Sequence, residues 1–416
     1  MSEIMLHLQA SPFAPGHGRG VLRRSGAPDS LLILAQRELG PILPPCAGLM
    51  VVDGAPFSHP MLRLLGLGIP TVLVSAEQAA RLPLGAEAVL DGATGLITDA
   101  GPDAWQAPPP PPPGAPVVSA DGTAVELRAS VGSAAGAAWA VAQGAAAIGL
   151  VRSEFLLSAH GAPPDAAYFE TALAALCEAA QPLPVTVRLV DIAADKRPPW
   201  LQPLPGLGGA LGLQGARLYA SEPVQSVFRA ELAALDTLAK AYRLGVLVPY
   251  VVALDELLHW RNEIARRLTA TLPVGVMAEA PAAVLAMSEW LEAVDFLALG
   301  CNDLMQCLFA ADRDLPELSG FLDPYAPVLH RFLWQAAVAT GSRLARVQVC
   351  GLLPQLPGVL PVLLGMGYRA FSVDPAWIPY LAQTVRRTDV AAAVALAEQV
   401  CGARRPAEVR ALLGLP

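Results

Sequence analysis

Charge is scarce in this chain: Asp, Glu, Lys and Arg make up 15% of its 416 residues, against 54% apolar ones. Such a length accommodates two domains, one of them large. The low charge fraction fits well-filled cores with many small, alanine-lined packing surfaces. Basic clusters are missing as well, and the net charge is −8. A nucleic-acid partner would need a basic face, so that class is excluded. A small anionic ligand is not, because a phosphate needs only a few local arginines. Cysteine pairs are absent too. Cys46, Cys177, Cys301, Cys307, Cys350 and Cys401 stand singly with no CxxC spacing, which argues for a reducing compartment and against a zinc site.

The opening MSEIMLHLQAS has neither the basic start nor the continuous apolar core of a signal peptide, so a cytoplasmic location is expected. Between Arg128 and Arg152 lie 23 uncharged residues. A membrane-spanning helix needs about 20 predominantly apolar ones. Gln143-Gly144 nevertheless splits the stretch into a small-residue helix and a short β-rich run. A second uncharged stretch, VQVCGLLPQLPGVLPVLLGMGY, holds three prolines and reads as strand, loop and helix. No membrane span is expected from either.

What is present is a sharp boundary and a repeated pattern. Six consecutive prolines from Pro108, closed by Gly114, favour a stiff, extended spacer with no fold of its own. The expected division is a small β/α domain over 1–105, a linker over 106–116 and an α/β domain over 117–416. After the linker, strand-like and helix-like runs alternate, the pattern of a parallel α/β domain. Eight strand candidates stand out: ELRASV, AAIGLV, PVTVRLV, VLVPYVV, VGVMAEAP, DFLALGCND, VQVCG and YRAFSVDP. All but VLVPYVV carry or adjoin a polar or reactive residue: Arg128, Arg152 with Glu154, Arg188 with Asp191, Glu279, Asn302 with Asp303, Cys350 and Asp374. In a (β/α)₈ TIM barrel functional groups gather at the C-terminal strand ends, and roughly 300 residues suit that fold. A doubly wound open sheet is the alternative that strand counting leaves open.

Arg152, Arg188 and Arg313 suit bidentate recognition of phosphate or carboxylate, although a strand-end arginine also serves as partner to a carboxylate such as Glu154 or Asp191. Glu279 and Asp303 could share a hard cation, since Mg²⁺ is commonly held by two carboxylates together with substrate oxygens and water. Glu279 interrupts an apolar run beside Pro281, where an ionised group is costly unless paired or coordinated. Cys350 on an apolar strand equally reads as a small buried hydrophobe. In GAPFSHPMLRLLGLGIPTVLV, Pro60 suits a first helical turn. This puts His59 at a helix N-terminus, where free N–H groups could face a phosphorylated imidazole. The plain alternative is a capping histidine.

Taken together, LQASPFAPGHGRGVL, GAPFSHPMLRLLGLGIPTVLV, GAAAIGLVRSEFLL, VTVRLVDIAADK, GVMAEAPAA, DFLALGCNDLMQCLFAADR and VQVCG resemble, in order, the motifs of the phosphoenolpyruvate-utilising enzymes. The resemblance is greatest to enzyme I of the bacterial sugar phosphotransferase system. It implies a swivelling phosphohistidine domain carrying His59, ahead of a phosphoenolpyruvate-binding TIM barrel. Arg152, Arg188, Lys196, Asn302 and Arg313 would bind phosphoenolpyruvate, Glu279 and Asp303 would hold Mg²⁺, and Cys350 would protonate the enolate carbon as pyruvate forms. A thiol does so best with a pKa near the working pH. Dimerisation through the barrel, and an acceptor such as a phosphocarrier protein, are further implications.

There are departures from the family pattern. The helical domain that docks the phosphocarrier is lacking, and so is an ATP-grasp domain. Phe57 replaces a threonine, Ala193-Ala194 a glycine pair, Gln214 a phosphate-binding arginine and Leu352 a glutamate, while Arg217 matches a later arginine. An active phosphotransferase and a catalytically impaired phosphoenolpyruvate sensor are the two readings these features allow.

Overall fold

The computed structural model describes residues 6–40, 42–99, 106–157, 161–193, 197–202, 208–209 and 211–415. The chain divides into two compact units, Met1–Pro109 with Asp312–Phe321, and Pro110–Ala311 with Leu322–Pro416.

The first unit is built on an eight-stranded mixed sheet. Its centre is four parallel-paired strands, His17–Arg23, Ser30–Ala35, Gly48–Val52 and Thr71–Val74. SLLILA, GLMVV and TVLV are almost wholly apolar because both faces of these strands are covered. One core gathers Leu22, Leu31, Ile33, Met50, Val72 and Leu90. Between the third and fourth parallel strands runs the short helix His59–Leu65, with Ser58 at its N-cap and Met61, Leu62, Leu64 and Leu65 buried. The expected helix and the strand at IPTVLV are both present, and His59 is the helix's first residue.

The second unit is a closed barrel of eight parallel strands with surrounding helices. The strands are β1 (Ala124–Val131), β2 (Ile148–Arg152), β3 (Val185–Arg188), β4 (Leu244–Val248), β5 (Val274–Ala278), β6 (Phe296–Gly300), β7 (Val347–Cys350) and β8 (Ala370–Val373). Each pairs with its neighbour, and β1 pairs with both β2 and β8, which closes the sheet on itself. All eight sequence candidates lie on these strands, and closure removes the open-sheet alternative. Leu150, Leu247, Met277, Ala298 and Cys350 form a cluster drawn from five strands. Truncating one such leucine to alanine typically costs about 2–5 kcal/mol.

The proline run is not free along its whole length. Pro111 is buried, and the Gly114 N–H donates to the Ala145 carbonyl at 2.9 Å. Gly144 has φ +78°, and a Cβ there would stand 1.9 Å from the Pro111 carbonyl oxygen. An extended proline chain presents a hydrogen-bond-free apolar edge, and a residue without a side chain lets that edge lie directly on the barrel. Among the described residues no helix is long and apolar enough to cross a membrane. None of the six cysteines is in a disulfide.

Candidate active site

Parallel pairing brings the C-terminal ends of all eight barrel strands to one mouth. Arg152 and Arg188 end adjacent strands and stand in register. Glu279 follows β5. Asn302 and Asp303 open the helix Cys301–Phe309 directly after β6, and Cys350 ends β7 in register with Gly300. Gly300 has a local reason: a Cβ there would lie 2.7 Å from the Glu279 carboxylate, so only glycine lets that side chain occupy its place.

Arg188 is buried at this mouth. It donates to Glu154, its Nη1 lies 3.1 Å from Asp191 Oδ2, and Nη1 also meets Met277 Sδ at 3.6 Å. Both carboxylates weighed as plain structural partners therefore do pair with it. Burial would weaken the guanidinium's hold on its proton, but Glu154, Asp191, Glu279 and Asp303 outweigh that and keep it charged. Its Nε is buried with no hydrogen-bond partner among the described residues.

Glu279 is 2% exposed and accepts the Tyr250 backbone N–H at 2.8 Å. Burial, followed by repulsion from Asp303 and Asp191, pushes its carboxyl up to about 8, with Arg188 pulling the other way. Glu279 is repelled by Asp303 and Asp191 beside Arg188, and a further cation would relieve that repulsion. Among the described residues no group of three or more His, Cys, Asp or Glu is placed to hold a metal ion. Glu279 and Asp303 are a two-carboxylate share that fits a hard ion completing its shell with other oxygens.

Cys350 is 2% exposed, and burial pushes its thiol up to about 12 while Arg128, Arg152 and Arg188 pull it down. Burial thus outweighs the three guanidiniums and favours the protonated thiol. Asn302 is buried, and its Oδ1 accepts the Leu352 backbone N–H at 3.0 Å. Leu352 thus takes part through its main chain, while its side chain, like that of Phe57, is packed in the interior. Lys196 and Ala194 lie outside the described residues.

One strand that offered no obvious chemistry, VLVPYVV, contributes after all. Tyr250 has φ +54°, a left-handed conformation uncommon for a bulky residue. It is held there while its N–H donates to Glu279, and Arg217 lies 5.4 Å from the centre of its ring. Gln214 is buried immediately before Gly215, whose Cβ position would be 2.7 Å from Tyr250 and 3.3 Å from Asp191.

His59 and Arg313 meet in the first unit, to which Asp312–Phe321 belongs. Arg313 Nη2 lies 2.9 Å from His59 Nε2. Asp314, which the sequence reading passed over, accepts the His59 backbone N–H at 2.8 Å, and its Oδ2 lies 3.1 Å from His59 Nδ1. Burial would raise the Asp314 carboxyl, but hydrogen bonding and charge from His59, with Arg313 nearby, hold it down at about 2. The N–H at the helix start is therefore already engaged by a carboxylate.

Comparison with known proteins gives a consistent picture. Residues 113–390 match the family model of the PEP-utilising enzymes' PEP-binding domain. Multiphosphoryl transfer protein 1 of Escherichia coli is 31% identical over 71% of this chain and 36% of its own length. The phosphoenolpyruvate-protein phosphotransferase of Streptomyces coelicolor is 32% identical over 88% of this chain and 69% of its own. That of Haloferax volcanii is 29% identical over 94% and 73%. The chain thus spans 36% to 46% of the length of the multiphosphoryl transfer proteins it matches.

Proposed function

Since this chain belongs to the phosphoenolpyruvate-utilising enzymes, we propose that it transfers the phosphoryl group of phosphoenolpyruvate to His59, releases pyruvate, and passes the group to an acceptor such as a phosphocarrier protein. The observation that carries this reading is Arg188, a charged, buried guanidinium whose Nε has no hydrogen-bond partner among the described residues. A buried unsatisfied donor costs about 1–3 kcal/mol, a cost an anionic ligand would remove by supplying the acceptor.

In this reading Arg152 and Arg188 neutralise the phosphate and carboxylate of phosphoenolpyruvate, with Lys196 and Asn302 as further ligands implied by family resemblance. Glu279 and Asp303 would hold Mg²⁺, which when bound neutralises charge on the phosphoryl oxygens. Cys350 keeps its proton until the enolate carbon takes it, and the guanidiniums of Arg128, Arg152 and Arg188 stabilise the thiolate left behind. Arg313 supports the phosphoryl group at His59. The first unit would act as a phosphohistidine carrier swivelling on residues ahead of the docked Pro111, in a cytoplasmic homodimer associated through the barrel.

The test is incubation with ³²P-labelled phosphoenolpyruvate and Mg²⁺ beside a His59→Ala control. Acid-labile label that vanishes in the variant is the expected result. Phosphoenolpyruvate binding by calorimetry with no label would replace the enzyme by a sensor, the reading that the neutral Gln214 favours. Neither label nor binding would overturn both.

A further inference from the structure

A histidine that accepts a phosphoryl group must offer one unprotonated ring nitrogen, and the other nitrogen's proton decides which. Around His59 the neighbours settle the choice. A guanidinium has donors only, so Arg313 Nη2, 2.9 Å from Nε2, requires Nε2 to be the acceptor and hence unprotonated. The proton then resides on Nδ1, facing Asp314 Oδ2 at 3.1 Å. The same carboxylate takes the His59 backbone N–H through Oδ1 at 2.8 Å, which fixes the carboxylate relative to the ring. The His59 side chain is 12% exposed and that of Asp314 27%, so the arrangement is largely shielded from competing water.

We propose that Asp314 is a positioning residue that sets the tautomer of His59, leaving Nε2 as the phosphoryl-accepting atom. The inference rests on the reading of His59 as the carrier. The Nε2 lone pair forms the new bond to phosphorus, and the bond from phosphorus to the enolate oxygen breaks. The enolate leaves with that electron pair and is protonated at carbon to give pyruvate. The ring becomes a cation with its proton still on Nδ1, and the Asp314 carboxylate offsets the charge as it develops. Arg313, which caps Nε2 before reaction, is placed to donate to the incoming phosphoryl oxygens.

Asp314→Asn tests this directly. The amide can keep the backbone bond through Oδ1, but its NH₂ then faces Nδ1 as a donor while Arg313 still faces Nε2 as one, so the preference for a proton on Nδ1 is lost. Two measurements separate this inference from the reading beneath it. The first is ¹⁵N NMR of imidazole-labelled full chain under alkaline conditions, with the His59 signals assigned by their loss in His59→Gln. Wild type should show protonated Nδ1 and unprotonated Nε2, and Asp314→Asn a mixture of the two tautomers. This readout needs no turnover. The second is the labelling rate, from phosphoenolpyruvate and, independently of the barrel, from phosphoramidate. Both should slow roughly 10–100-fold in Asp314→Asn, with partial rescue by Asp314→Glu. An Nε2–H tautomer in wild type, or an unchanged tautomer and rate in the variant, would overturn the role of Asp314. Correct tautomers and phosphoramidate labelling without labelling from phosphoenolpyruvate would uphold it while sinking the proposed donor.

Discussion

Replacing Arg188 by methionine separates its structural from its chemical role. Its partners are deeply placed, with side-chain exposure of 4% for Glu154 and 10% for Asp191. Removing the cation strands two buried carboxylates, and breaking a buried pair costs about 3–5 kcal/mol. At roughly 2–4 °C per kcal/mol for domains of this order, the melting temperature should fall by roughly 6–20 °C at neutral pH. The sign with pH follows from linkage. An ionised carboxylate left buried without its cation costs far more than a protonated one, so the deficit belongs to the charged forms. The deficit is therefore absent below about pH 4, grows as pH rises, and levels off once the folded groups have ionised. Adding Glu154→Gln and Asp191→Asn should recover most of the lost stability, because neutral isosteres remove the stranded charge. The triple variant should nevertheless bind no phosphoenolpyruvate and form no phosphohistidine. Thermal denaturation across pH, paired with calorimetry and ³²P labelling, reads both halves. If the single variant melts within 2 °C of wild type at every pH, the ion-pair reasoning is wrong. If the stable triple variant still labels, Arg188 is not a substrate ligand.

Glu279, held up at about 8, should make the metal-free protein lose stability as pH rises from its unfolded value, near 4.5, toward 8. Mg²⁺ or Glu279→Gln should flatten that slope in denaturation curves recorded with and without chelator. His330 shows the opposite sign: burial lowers it to about 4, with its ring against the Pro324 carbonyl. Its contribution should disappear as pH falls from 6.5 to 4, by at most about 3 kcal/mol, and acid titration of His330→Gln should lack that component. Cys350 should resist iodoacetamide at neutral pH while the half-buried Cys46, Cys307 and Cys401 react first, since alkylation follows thiolate character and access. Peptide mass spectrometry would show it, and early labelling of Cys350 would contradict its burial.

Sequence and structure agree best where one residue breaks a rule by itself. Glu279 interrupts an apolar strand beside Pro281, so burial without a partner was untenable from the sequence alone. Arg152, Arg188 and Cys350 were legible because a strand's period of two and its abrupt polar end place the last side chain at the barrel mouth. Main-chain contributions left no such mark. Tyr250 serves the site through its N–H at φ +54°, a conformation its side-chain identity does not announce. Asp314 lies 255 residues from His59, and in a polar loop one more carboxylate looks like solvated surface. The proline run shows the same limit from the other side. Its composition dictates an extended chain, but docking depends on what lies beside it, and the missing side chain of Gly144 gives Pro111 a place to rest. Identity and spacing therefore expose the groups that would do the chemistry. The contacts that aim those groups arise from long-range placement of backbone and loops, and Asp314 is where that distinction has a consequence: if the tautomer of His59 is set there, the residue that prepares the nucleophile is one that no local pattern selects.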